Sequence, residues 1–132
     1  MLCSPGRERG GIRVKRTLLA IVLTTAVYAA YYAASMHLLN HFYTPKWTAR
    51  HVLLPAAFIS VLPLLRRFER FAVTTTVGYA LGVLIGELFG GFESDVPPQF
   101  LHHGWWIWGA VFALSIVVGI IIELRQCRAS TP

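Results

Sequence analysis

Charge is what this sequence has least of. Six acids and twelve Lys or Arg make up 14% of the 132 residues. A soluble globular domain carries about 25%. The shortfall excludes an ordinary water-soluble domain, whose surface needs charged side chains to face water. Cysteine is almost absent as well. Cys3 and Cys127 stand near opposite ends, in no CxxC or Cys/His spacing, which excludes the common structural zinc motifs. Both fall in segments assigned below to the cytoplasm, so reduced thiols are expected rather than a structural disulfide. The chain also lacks a Gly-rich phosphate loop, a nucleophile elbow, a Ser/His/Asp order, an HExxH motif and a haem attachment motif. No enzyme activity is expected from it, and no cofactor is implied.

What is present is oil. Hydrophobic residues make up 55% of the chain and mean hydropathy is +0.57. The net charge of +6 does not point to nucleic acid, because the basic residues sit in short clusters between apolar runs. That is the pattern of membrane topology.

Residues 1–16 carry Arg7, Arg9, Arg13, Lys15 and Arg16. They hold too little apolar surface to fold alone and read as a disordered basic tail against anionic lipid. Residues 17–39 contain no formal charge and reach about 34 Å as a helix, enough to cross a hydrocarbon core of about 30 Å. Ala33-Ala34-Ser35 resembles a cleavage site, but the apolar run exceeds a signal core and reads as an uncleaved first span. The second span is placed at 47–65, in a helix starting at Pro45 with Thr44 as its N-cap and bent at Pro55 and Pro63. Its alternative is a re-entrant segment. The third span is 71–91 and the fourth 103–124, with a stiff acidic connection over 92–102 and a second tail over 125–132.

Ten of the twelve Lys and Arg fall in 1–16, 66–70 and 125–132; only Lys46 and Arg50 fall in the other connections. This bias predicts an all-α integral membrane four-helix bundle, residues 17–124, in a bacterial-type cytoplasmic (inner) membrane with both termini inside. Trp47, Trp105, Trp106 and Trp108 then mark the outer boundary as an aromatic belt.

The third span organises the rest. Gly78, Gly82, Gly86 and Gly90 recur every four residues. They drift only about 40° per step around a helix and leave a groove without side chains. In lipid such a groove lets a second helix approach closely, so these four glycines read as a glycine zipper. Ala26, Ala30 and Ala34, with Ala29 and Ala33, give the first span a small-residue face suited to that groove. Gly90 and Gly91 are expected to close the span in a left-handed cap.

Glu87 is the one acid well inside a span, a candidate proton or cation site or a group reaching the outer headgroups. His37, His41, His51, His102 and His103 all fall in the outer half. With Glu87, Glu93 and Asp95 at similar depth they suggest a Zn²⁺-type or pH-responsive cluster, although no dense metal motif is present. Glu123 reads as interfacial beside Arg125. Three functions follow. The first is a non-enzymatic accessory or assembly protein, embedded in the lipid bilayer and packing on other membrane proteins or on its own copies through the zipper helix. The second is a transporter or channel for protons, cations or a small solute, using Glu87 and nearby histidines. The third is an extracytoplasmic metal- or pH-sensing module.

Overall fold

The computed structural model of the chain describes residues 10–39, 41–90, 92–93 and 101–129. The fold is helical throughout, apart from a two-residue ladder. Helix α1 is Gly10–His37, α2 Tyr43–His51, α3 Leu53–Val61, followed by a 3₁₀ turn over Leu62–Arg66, α4 Glu69–Phe89 and α5 Gly104–Ala129. Between α4 and α5, β1 (Phe92–Glu93) pairs antiparallel with β2 (Leu101–His102), Phe92 opposite His102.

Three segments, Val14–His37, Glu69–Phe89 and Gly104–Ala129, are long and apolar enough to cross a membrane. The pair Tyr43–His51 and Leu53–Arg66 passes the same test together but is bent by 67°. The protein is therefore a helical membrane protein with three such helices, or four if the bent pair is one span. Its outward faces carry Leu18, Leu19, Val22, Leu84, Leu88, Leu114 and Val117, all exposed. In water these would be a severe cost; against acyl chains they are at home.

The bend falls at Val52, not at the prolines themselves. Val52 has φ −126° and ψ −2°. Pro55 still explains it. Proline has no N–H for the carbonyl of His51, four residues earlier, and its ring crowds that carbonyl. The chain breaks there and restarts, which places Pro55 in the first turn of α3, where helix N–H groups have no partner anyway. Pro63 similarly opens the tighter 3₁₀ turn. That turn ends at Arg67, the only described non-glycine residue with positive φ, at 68°.

Several boundaries differ from those read in the sequence. Helix α1 begins at Gly10, so residues 10–16 are helical; extending a formed helix is far cheaper than nucleating one. Helix α5 likewise runs through 125–129. Helix α2 starts at Tyr43, with Phe42 rather than Thr44 as its N-cap. Gly90 is extended, at φ −78° and ψ 93°, and no described glycine has positive φ. It serves close approach instead: a Cβ there would strike Gly86 and the backbone of Gly104. Cys127 is disulfide-bonded, which corrects the expectation of reduced thiols; the other cysteine, Cys3, lies outside the described residues.

Two ends of the structure can be told apart by their hydrogen bonds. At one, Arg16 donates to Glu69 at 2.9 Å and the Phe71 N–H donates to Glu123 at 3.1 Å. The start of the α1 apolar run, the start of α4 and the end of α5 therefore lie together. At the other end, the Thr44 N–H donates to Glu87 at 2.8 Å and Gly86 lies against Gly104.

Packing centres on α4. Of its most apolar window 44% is buried, against 22% for α5 and 6% for α1. The core joins Tyr28 of α1, Ala49 of α2, Leu53 and Ala56 of α3, Tyr79 and Val83 of α4, and Trp108 and Phe112 of α5. Tyr79 is its hub. Its ring meets Tyr28, Tyr31, Trp108 and Phe112 edge-on, at 5.4, 5.1, 5.4 and 6.0 Å between centroids. Such edge-to-face pairs are the favoured aromatic geometry. Trp108 thus belongs to the core and not to a belt.

Candidate functional site

The groove along α4 is filled from within the chain. A Cβ added to Gly78 would strike the side chain of Ser115. At Gly82 it would lie 3.0 Å from Trp108 Cδ1, and at Gly86 2.5 Å from the Gly104 carbonyl oxygen. Gly119 of α5 returns the contact: a Cβ there would lie 2.9 Å from Phe71 Cδ2. The helix seated on these glycines is α5. The alanine face of α1 lies elsewhere: Ala26, Ala29, Ala30 and Ala33 are exposed and Ala34 is half-buried. The expectation that this face docks into the glycine groove is therefore corrected. The physical reason is order of connection. A hairpin through β1 and β2 brings α5 alongside α4 directly.

Around Tyr79 the buried polar groups align into a seam. Starting from one end, Glu87 Oε2 accepts the Thr44 N–H at 2.8 Å. One turn along α2, Thr48 Oγ1 bonds back to the Thr44 carbonyl at 2.9 Å and meets the Tyr31 hydroxyl at 3.0 Å. From the other end, Glu123 Oε1 accepts the Phe71 N–H. Thr75 Oγ1 lies 3.0 Å from the Phe71 carbonyl and 3.0 Å from Ser60 Oγ, which meets the Tyr28 hydroxyl at 2.8 Å. Tyr28 and Tyr31 are three apart on α1, so both reach the same side of the helix. Among the described residues no hydrogen bond joins the two halves of the seam. Tyr79 stands between them, its hydroxyl turned toward Thr48 and Tyr31 without closing a bond to either. Ser35 Oγ and Trp108 Nε1 are likewise buried without a partner among the described residues.

Both carboxylates do the same work. Phe71 and Thr44 each sit in the first turn of a helix, where N–H groups lack an intrahelical acceptor. Glu123 of α5 supplies one to α4, and Glu87 of α4 supplies one to α2. A negative charge at a helix N-terminus also meets the positive end of its dipole. The sequence shows neither contact, because each acid is 43 or 52 residues from its donor. Only the presence of Glu87 inside an apolar run, with no cation at helical spacing, hinted at such a need.

His37, His41, His51 and His103 are exposed. His51 donates its Nδ1–H to the Trp47 carbonyl, 2.9 Å away, and its ring stacks on the Trp47 ring at 5.0 Å. The side chains of His102 and Glu93, and all of Asp95, lie outside the described residues. Among the described residues no three His, Cys, Asp or Glu side chains come together as a metal site would require. Set against protein-family models, curated proteins and solved structures, the chain matches none.

Proposed function

We propose that this protein is a non-enzymatic assembly or accessory protein of a bacterial-type inner membrane. It crosses four times, with the bent α2–α3 pair as its second span and both termini on one side, which the Lys/Arg bias makes the cytoplasmic one in spite of the disulfide at Cys127. It associates with other membrane helices, or with its own copies, through α1. The observation that carries this reading is the imbalance of burial: 6% of the most apolar window of α1 is buried, and its exposed face includes Ala26, Ala30 and Ala33 at helical spacing. Small residues at that spacing let helices approach closely in lipid. The corresponding face of α4 is taken by α5, so α1 is the face left for a partner.

Photo-crosslinking in membranes tests this. A crosslinker at Ala30 should capture a membrane protein in fixed stoichiometry, and one at Leu84, on the exposed side of α4, should capture mostly lipid. A protein that purifies as a monomer, with Ala30 crosslinking to lipid alone, would end the assembly reading.

The hydroxyl seam supports a second reading, proton movement between Glu87 and Glu123 along Thr48 and Tyr31 on one side and Tyr28, Ser60 and Thr75 on the other, with a swing of the Tyr79 hydroxyl needed to join the two halves. Reconstituted vesicles decide it. Wild-type protein must dissipate a proton gradient and Glu87→Gln must stop it; equal rates reject the reading.

A further inference from the structure

One groove on the surface changes from oil to charge along its length. Its upper part lies between α1 and α3, about 350 Å³ in volume, with Ile21 and Thr25 on one wall and Leu54 and Phe58 on the other. It shares Leu62 and Leu65 with a second depression, which Pro63, Phe68 and Arg66 complete. From Leu54 to Arg66 the distance is about 18 Å at helical rise, close to the depth of one leaflet, about 15 Å.

The charged end is unusually free. Arg66 and Arg67 are exposed. Neither has an ion-pair partner among the described residues, and Glu69, two residues beyond Arg67, is taken by Arg16 at 2.9 Å. Arg67 also holds a left-handed backbone, φ 68°, at the cap position where glycine is the usual residue. Its own N–H bonds to the Leu64 carbonyl and the next N–H to Pro63, so the turn itself needs no arginine. An L-residue retained in a disfavoured conformation points to use of its side chain.

We propose that this groove seats one anionic glycerophospholipid, with an acyl chain along Leu54, Phe58 and Leu62 and the phosphate at Arg66 and Arg67. Guanidinium matches phosphate geometry and stays charged beside lipid. The apolar walls supply what a soluble phosphate would not use.

The test is native mass spectrometry of the full chain, released from micelles after titration with phosphatidylglycerol or phosphatidylcholine. One phosphatidylglycerol should be retained on the order of tenfold more tightly than phosphatidylcholine. Arg66→Gln with Arg67→Gln should remove that preference and leave phosphatidylcholine binding alone. Thr25→Trp, on the exposed wall, should fill the groove and weaken both lipids. Arg67→Gly should melt at a higher temperature in phosphatidylcholine, because the turn relaxes, yet lose part of the preference; its folding guards against reading a collapsed variant as a lost site. Glycerol phosphate, which has no chain, should not compete. Equal retention of the two lipids, a preference that survives the double substitution, indifference to Thr25→Trp, or full competition by glycerol phosphate would each overturn the proposal.

Discussion

Helix α5 and helix α1 both lie against the centre of this protein, and they are held in opposite ways. Between α4 and α5 the backbones nearly touch: Gly86 meets the Gly104 carbonyl and Gly119 meets Phe71. Little can yield at Gly86 and Gly90, where the nearest opposing atoms are main chain. Helix α1 is held chiefly by two tyrosines instead, the rings of Tyr28 and Tyr31 edge-on to Tyr79 and their hydroxyls on Ser60 and Thr48. Lipid supplies no hydrophobic drive between helices, so packing and hydrogen bonds decide how tightly each is held. One pair is set by shape, the other chiefly by two tyrosines.

The sharpest way to break this contrast is to fill the shape-determined side. Gly86→Leu places a side chain where a Cβ already lies 2.5 Å from a carbonyl oxygen. Overpacking of that kind costs about 3 kcal/mol. Unfolding in mixed micelles should show the loss, with α5 the first helix to become protease-sensitive. A neutral result would mean that the α4–α5 interface is looser than its glycines imply.

The next effect is on the other side. Ser60→Ala removes the group that meets both Tyr28 and Thr75. Hydrogen bonds between membrane helices average about 0.6 kcal/mol each, so the loss should be about 1 kcal/mol. A double-mutant cycle of Ser60→Ala with Tyr28→Phe should give a coupling of about 0.6 kcal/mol. A coupling several times larger would place α1 on the same footing as α5 and erase the distinction.

Smaller still is the effect of the carboxylate caps. Glu123→Gln keeps an acceptor for the Phe71 N–H but removes the charge at the start of α4. The expected cost is about 0.5 kcal/mol, in the range of charge–dipole terms at helix ends. Hydrogen exchange at the Phe71 amide should quicken while the middle of α4 is unchanged. Glu87→Gln should do the same at Thr44 of α2. If exchange quickens throughout α4, Glu123 is holding the interface as a whole and not one helix end.

Hydrophobic runs make three helices long and apolar enough to cross a membrane legible in the sequence, because period and length are local properties. The second segment was only half legible. Pro55 announced a bend, but the break at Val52 depends on which side of the proline gives way, which the proline alone does not fix. The partner of the glycine face was not legible at all. Alanines of α1 and Ser115, Gly104 and Gly119 of α5 offered equally small surfaces, and connection order chose between them. The partners of the acids were not legible for a related reason. A carboxylate in an apolar run signals a need for a partner without naming it, and here the partners are backbone N–H groups, which no side-chain motif records.

The smallest expected change in stability bears most on function. Ala30→Leu enlarges an exposed position of α1, facing neither Ser60 nor Thr48. The folded protein should lose less than about 0.5 kcal/mol, as surface changes do. A bulky side chain on a small-residue face should nevertheless block close approach by another helix. Loss of crosslinked or co-purified partner with unchanged unfolding would place the association surface on α1 and separate it cleanly from the interior, where Gly86→Leu fails by unfolding. Should Ala30→Leu unfold the protein instead, α1 is packed far more deeply than its exposure implies. Should it leave both stability and association intact, the loosely held helix is simply facing lipid, and the partner surface must be sought elsewhere.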